Sequence, residues 1–159
     1  MKTLLNSLCF FGLLLVLATA CDSARVYQEY NDLEQLFWHV DSVQRFDFEI
    51  EDTDLNYNLL ATFRNDASYP YYNLYFQYVL LDSLDTLKKQ LTEVNLFDPK
   101  SGEPLGDGLG NLFDHQAMLE ENITFEKAGT YSLTLQHFMR LDTLPLIMSV
   151  GARVEKVEE

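Results

Sequence analysis

From residue 45 onward, apolar and polar side chains trade places with a period of two, and no helical fold can use that pattern. Phe46, Phe48 and Ile50 alternate with Arg45, Asp47, Glu49 and Glu51. Leu55, Tyr57, Leu59, Ala61 and Phe63 follow, broken only by Leu60, and Tyr72, Leu74, Phe76, Tyr78 and Leu80 continue the series. Tyr131, Leu133, Leu135, Met139 and Leu141 share one parity, and so do Leu146, Met148, Val150, Ala152 and Val154. Such alternation gives each segment one face for a core and one for water, which is the signature of half-buried strands. The Tyr and Phe content favours strands as well.

Turn signals separate these runs: Asn65-Asp66, Tyr69-Pro70, Pro99 to Gly102, Gly106 to Gly110, and Ala128-Gly129. Six to eight strands joined this way predict an all-β chain, an antiparallel β-sandwich of jelly-roll or immunoglobulin-like type. Two segments depart from the pattern. Asn31 to His39 reads as a short helical turn that Asp32 caps, with Leu33, Leu36 and Phe37 on one side. Leu84, Leu87, Leu91 and Val94 fall at helical spacing, but Thr86, Thr92 and Val94 suit a strand, and a strand is expected.

The N-terminus has a different character. Lys2 precedes an apolar run from Cys9 to Leu17, then the small residues Ala18, Thr19 and Ala20, then Cys21. A charged start, a short apolar stretch and small residues before a cut describe an export signal, and the stretch is shorter than the roughly 20 residues of a membrane span. Small residues directly before a cysteine also form a lipobox, in which the thiol is acylated before cleavage. Residues 1–20 are therefore expected to be a lipoprotein signal peptide, 21–30 a lipid-anchored segment and 31–159 the β-sandwich domain. Cys9 leaves with the signal, so the mature chain cannot form an internal disulfide.

With residues 1–20 removed, 139 remain, carrying 10 basic and 25 acidic side chains. A surface so negative argues against nucleic acid and against electrostatic docking on anionic lipid. Membrane attachment is left to palmitate-type acyl chains on Cys21, and more than one chain makes that attachment stable.

Searching for chemistry returns little. His39, His115 and His137 lack metal-binding spacing, and His137 shares parity with the apolar face of its strand, as a hydrogen-bonded core histidine would. There is no G-x-S-x-G elbow, and the one mature cysteine is taken by lipid, so nucleophilic catalysis has no residue to use. Gly106-Asp107-Gly108-Leu109-Gly110 lacks the third spaced Gly, the Lys and the strand-to-helix context of a phosphate loop, and reads as a turn or bulge. Asp98, Glu103, Asp107 and Asp114 do not follow an EF-hand pattern and read as a solvated acidic loop. No enzymatic activity, metal or cofactor is expected. The long Gly-rich connection from Asp98 to Asp114, with Glu103, Asp107 and Asp114, is the expected interaction loop.

Five triplets read Asp, hydroxyl, aliphatic, at Ser23, Ser42, Ser83, Thr86 and Thr143, against about 0.6 expected from composition. Turn-starting Asp residues would explain such triplets before strands. They also resemble the O-glycan acceptor motif of Bacteroidetes periplasmic proteins, which makes these five hydroxyls expected attachment sites.

Several short motifs occur together in order. They are Trp38 with Asp41 and the Phe46-to-Ile50 strand, Arg64-Asn65, Tyr69-Pro70-Tyr71, Asn73-Leu74-Tyr75 and Asp85-Thr86-Leu87. They continue through Leu105-Gly106, Gly108-Leu109-Gly110, Gly129-Thr130-Tyr131, Met139-Arg140, Leu144-Pro145, Ile147, Val150-Gly151 and Arg153-Val154-Glu155. From the lipobox almost to the C-terminus, this series resembles the gliding motility-associated lipoprotein family GldH of Bacteroidetes. One departure is Leu146, where that pattern has Gly after the Pro. The resemblance implies an envelope lipoprotein that works with other proteins of the gliding and type IX secretion machinery, and it supplies no catalytic residues. The segment Asp22-Ser23-Ala24-Arg25-Val26 lacks an acidic surface-export cluster, so a periplasm-facing anchor is expected, on the outer membrane in preference to the inner. The alternative is a carbohydrate-binding or polysaccharide-handling lipoprotein, with Tyr69, Tyr71 and Tyr75 as a sugar platform unless they pack inward.

Overall fold

The computed structural model describes residues 23–83 and 85–157, so the expected signal peptide and Cys21 lie outside the described residues. Eleven strands are present among them: β1 Arg25–Asp32, β2 Phe37–His39, β3 Gln44–Ile50, β4 Tyr57–Asp66, β5 Asn73–Leu81, β6 Thr86–Asn95, β7 Asp107–Leu109, β8 Leu112–Ile123, β9 Gly129–His137, β10 Thr143–Pro145 and β11 Ile147–Lys156. One sheet has the order β1-β11-β4-β8-β7 and the other β3-β9-β5-β6, while β2 and β10 form a separate ribbon. All pairings are antiparallel.

The eight long strands pair outside-in, β1 with β11, β3 with β9, β4 with β8 and β5 with β6. This is one long hairpin whose tip is the β5–β6 turn, rolled until β11 meets β4 and β9 meets β5. The result is a jelly roll, which decides between the two sandwich types the alternation allowed.

Alternation becomes burial where it was strictest. β3 reads buried-exposed throughout, with Phe46, Phe48 and Ile50 at 2% exposure or less. Leu59, Ala61 and Phe63 of β4 meet Leu74, Phe76 and Tyr78 of β5 and Leu133 and Leu135 of β9 in one core. Phe63 and Phe76 pack edge to face across the sheets, 4.8 Å between centroids. Trp38 of the short ribbon is fully buried; its indole N–H donates to the Ser42 carbonyl at 2.8 Å, and its ring meets His137 edge-on at 5.4 Å.

Three expectations change. Arg25–Asp32 is an edge strand paired with β11 from Arg25 to Asp32, so the sandwich begins at Arg25 and not at Asn31. Within Asn31–His39 the expected turn shrinks to a single 3-10 turn at Glu34–Leu36, with left-handed φ of 56° and 62° at Gln35 and Leu36 and with Leu33, not Asp32, at its N-cap. Leu146 keeps a left-handed φ of 62° although it is not Gly. The bend survives because the backbone is pinned on both sides, Leu146 N–H to the Leu36 carbonyl at 2.8 Å and Asp66 N–H to the Leu146 carbonyl at 3.1 Å. The segment expected as a strand around Leu87 to Val94 is β6, where Leu91 lies opposite Gln77 and Val94 opposite Leu74, on alternate faces, so the helix-like spacing marks no common face.

Gly151 sits mid-strand in β11 between β1 and β4, opposite Tyr30 and Thr62. A Cβ there would lie 2.4 Å from Thr62 Oγ1 and 2.6 Å from the Glu29 carbonyl oxygen, and the carbonyl belongs to a paired strand that cannot yield. Gly151→Ala is expected to destabilise by about 1–3 kcal/mol, the usual range for overpacking, as read from urea unfolding midpoints.

Candidate functional site

The rolled topology gives the sandwich two unlike ends. Arg25 pairs with Glu155, Tyr57 with Ile123 and Ile50 with Gly129, so the start of the described chain, the 51–56 and 124–128 connections and the β5–β6 turn share one end. Residues 33–43, 67–72, 96–111 and 138–146 gather at the other, one strand length away, roughly 30 Å for ten residues. Cys21, the expected anchor residue, precedes Ser23 by two residues, so the first end is the N-terminal end and the second is the far end.

Exposed apolar side chains concentrate at the far end. Leu36, Phe37, Tyr72, Leu105, Leu109 and Phe138 are all more than 40% exposed there, Leu109 at 91%. Elsewhere among the described residues Tyr30 on β1, Leu87 and Leu91 on β6 and Met118 on β8 also exceed 40%, spread along the sandwich body. Scattered single apolar residues are ordinary on a surface, but a concentration at one end is not.

The Asp98–Asp114 connection is built more tightly than its glycines suggest. The Asp98 carboxylate accepts from the Lys100 and Ser101 N–H groups at 2.9 and 2.7 Å, which holds it below its ordinary pKa. Phe97 bridges Pro104, and Gly110, with φ 67°, turns β7 into β8. A Cβ at Gly108 would strike the Phe113 ring at 2.3 Å, so the Gly-rich run serves close packing, as the turn reading expected. The three acidic residues have different roles. Glu103 is exposed. Asp107 lies directly opposite Asp114, an unfavourable like-charge pairing. Asp114 is held by Arg64 through two hydrogen bonds of 2.8 and 2.9 Å, so it is a structural carboxylate and not a freely solvated one. No group of three or more His, Cys, Asp or Glu among the described residues is placed to hold a metal.

All five hydroxyl residues of the Asp triplets are exposed, as sugar attachment would require. Turn chemistry accounts for one triplet, where Asp82 Oδ1 accepts the Asp85 N–H at 2.6 Å. The three-tyrosine platform does not form. Tyr69 is 5% exposed with its hydroxyl on the Asn73 carbonyl at 3.1 Å, and Tyr71 packs edge-on against it. Parity failed because β5 begins only at Asn73. Instead Tyr71, Tyr72, Tyr75, Phe138, Met139 and Arg140 line a cleft of about 500 Å³ at the far end. A smaller cleft of about 290 Å³ lies near the N-terminal end, between Leu80, Leu87, Ile123 and Phe125. Beside it the largely buried Glu120 pairs with Lys88 at 2.6 Å and accepts from the Tyr78 hydroxyl. Sequence reading missed both clefts, since their walls come from segments far apart in the chain.

A family model described as GldH lipoprotein matches residues 25–154, nearly the whole sandwich. The chain belongs to the GldH lipoprotein family. It is 32% identical over 166 residues to the gliding motility lipoprotein GldH homolog of Christiangramia forsetii, covering 94% of this chain and 95% of that one. It is 28% identical over 148 residues to the gliding motility lipoprotein GldH of Flavobacterium johnsoniae, covering 89% and 91%. Among solved structures, a chain from the infectious bursal disease virus Gx strain overlaps 84% of this chain at TM-score 0.33 and 10% identity. This chain spans 30% of that viral one, and so loose an overlap carries no weight. As a GldH lipoprotein, the chain is a membrane-anchored envelope protein.

His115 and His137 are buried in this GldH sandwich, and burial pushes both imidazoles below their ordinary pKa. Asp114 and Asp107 oppose the shift at His115; the nearby backbone of Trp38 and Asp142 opposes it at His137, although no well-formed hydrogen bond reaches either of its ring nitrogens. The folded state keeps both rings neutral, whereas the unfolded chain takes up protons below about pH 6.5. Stability is therefore full above that pH and falls as pH drops through it. Urea midpoints at pH 7.5 and 5.5 should differ in that direction, and the difference should shrink in His115→Gln and in His137→Gln.

Proposed function

We propose that this protein is a lipid-anchored, periplasm-facing component of the cell envelope that acts by binding another protein and performs no catalysis, as an accessory of gliding motility and type IX secretion. Its relatives are named for gliding motility, and the envelope location follows from the family. The observation that carries the binding role is the polarity of the sandwich. Cys21 adjoins one end, and the exposed apolar side chains crowd the opposite end, where a rigid body presents loops to a partner. The outer membrane is the proposed site of the anchor, held through acyl chains on Cys21.

Cys21→Ser is expected to lose fatty-acid label and to move the folded domain into the soluble periplasmic fraction; label retained on that variant would defeat the anchor assignment. For the binding role, Leu105→Asp combined with Leu109→Asp places charge on side chains that are 56% and 91% exposed. Exposed changes of this kind shift stability by under about 0.5 kcal/mol, so melting temperature and abundance should hold. Colony spreading and export of type IX substrates should fall in a deletion strain complemented with this double variant. Met118→Asp, 49% exposed at mid-height on β8, should complement normally. Full spreading with the double variant at equal abundance would contradict the far-end reading.

A further inference from the structure

The far-end cleft has a chemical character of its own. Of the five arginines, Arg25 donates to Gln28, Arg45 to Asp47, Arg64 to Asp114 and Arg153 to Glu155. Arg140 is exposed and has no hydrogen-bond or ion-pair partner among the described residues, in a chain with 25 acidic residues against 11 basic. It stands beside aromatic rings, Tyr72 at 48% exposure, Tyr75 at 39% and Phe138 at 46%. Tyrosine and arginine are the residue types that carry most binding energy at protein contacts.

The cleft exists because a β ladder parts there. β5 and β9 pair regularly as far as Phe76 and His137. One step on, Phe138 N–H still donates to the Tyr75 carbonyl at 2.7 Å, but Tyr75 N–H meets the Met139 sulfur at 3.3 Å, where a carbonyl would continue the ladder. A thioether is a weak acceptor, and beyond it the two segments diverge. The walls are nonetheless fixed, because Asn73 Nδ2 donates to Glu93 at 2.6 Å, and Tyr75 lies directly opposite Glu93 in the β5–β6 pairing.

We propose that this cleft receives an extended segment of a partner protein, which seats an aromatic or prolyl side chain among Tyr72, Tyr75 and Phe138 and pairs a carboxylate with Arg140. The inference rests on the protein-binding reading above and names the partner's chemistry. Extended peptides dock aromatic-lined grooves in this way, and a planar guanidinium takes a carboxylate through two parallel hydrogen bonds. The charge balance selects the acidic partner, since Arg140 is the guanidinium left without an acidic partner among the described residues of this acid-rich chain.

The test uses the full acylated protein in detergent micelles and a phage-displayed library of random 12-residue peptides. Enriched peptides are expected to carry Asp or Glu close to an aromatic residue or Pro. A selected peptide, synthesised with a fluorophore, should bind about tenfold more weakly when its Asp or Glu becomes the amide, or when the protein carries Arg140→Gln. The two losses should not add, because they remove one interaction. Arg140→Lys should recover only part of the affinity, and Tyr72→Ala should weaken binding at unchanged melting temperature. No enrichment, enriched peptides without acid, or undiminished binding to Arg140→Gln would overturn the proposal. So would a uronic-acid oligosaccharide that binds with the same dependence on Arg140 and Tyr72 while peptides do not. In cells, normal spreading of an Arg140→Gln/Tyr72→Ala strain while Leu105→Asp/Leu109→Asp remains defective overturns the cleft and leaves the far-end reading intact. Normal spreading of both strains, with peptide selection as expected, supports the cleft and overturns the motility reading.

Discussion

Pairing across the full length of the chain is the constraint on which everything else depends. Tyr27 lies opposite Val154, while the β5–β6 turn at the middle of the sequence closes the opposite extreme of the same ribbon. None of the outer pairings can be local, so the closure entropy of long loops must be met before they contribute. What meets it is the core that the roll creates: Phe46, Phe63, Phe76, Leu133 and Val150 become almost fully buried only when both sheets are present. The described residues contain no cysteine, so no disulfide among them shares that task.

Rolling a single ribbon also dictates where function can sit. Each connection that crosses between sheets must turn at one end or the other, and β1 leads away from the N-terminal end. The longer irregular connections, at 33–43, 96–106 and 138–146, consequently all open at the far end. Trp38 makes this possible. The β2–β10 ribbon lays it over Phe63 and His137 as a plug, so the core stays sealed beneath loops whose own apolar side chains remain outside.

How much of this was legible depended on whether a strand is buried on one face. β3, β4, β5, β9 and β11 each press one parity into the core, and the alternation of their residues announced them. Edge elements gave no such signal. Only Tyr27 of β1 packs against the core, and β8 mixes Asp114, His115 and Gln116 with apolar residues and carries a bulge near Leu59, so neither shows a clean period. Parity also misled wherever it was extended past a strand end. Tyr72 and Leu141 were counted with buried neighbours and are exposed, because β5 starts at Asn73 and β9 stops at His137. The acidic connection was legible as a long glycine-rich loop, but neither its place at the far end nor the Arg64 partner that holds Asp114 from fifty residues away was. The cleft at Arg140 was illegible for the same reason, since it exists only where two distant segments separate.

The side of the sandwich between β6 and β8 shows how the two sheets close where the core thins out. Registered against β5, the inner face of β6 presents Lys88, Gln90 and Thr92 opposite Leu80, Tyr78 and Phe76, so the core stops one strand short of the edge. Closure there is polar: Lys88 reaches the carboxylate of Glu120 on β8, and the Tyr78 hydroxyl joins the same carboxylate. Partners removed singly would strand a mostly buried charge, which is a severe cost, and so the three residues act as one latch between the free edges. Lysines on a long edge strand also oppose sheet-to-sheet pairing with other chains. An edge held by charge and kept from spreading by charge leaves recognition to the end where exposed apolar side chains concentrate and where Arg140 has no carboxylate partner among the described residues.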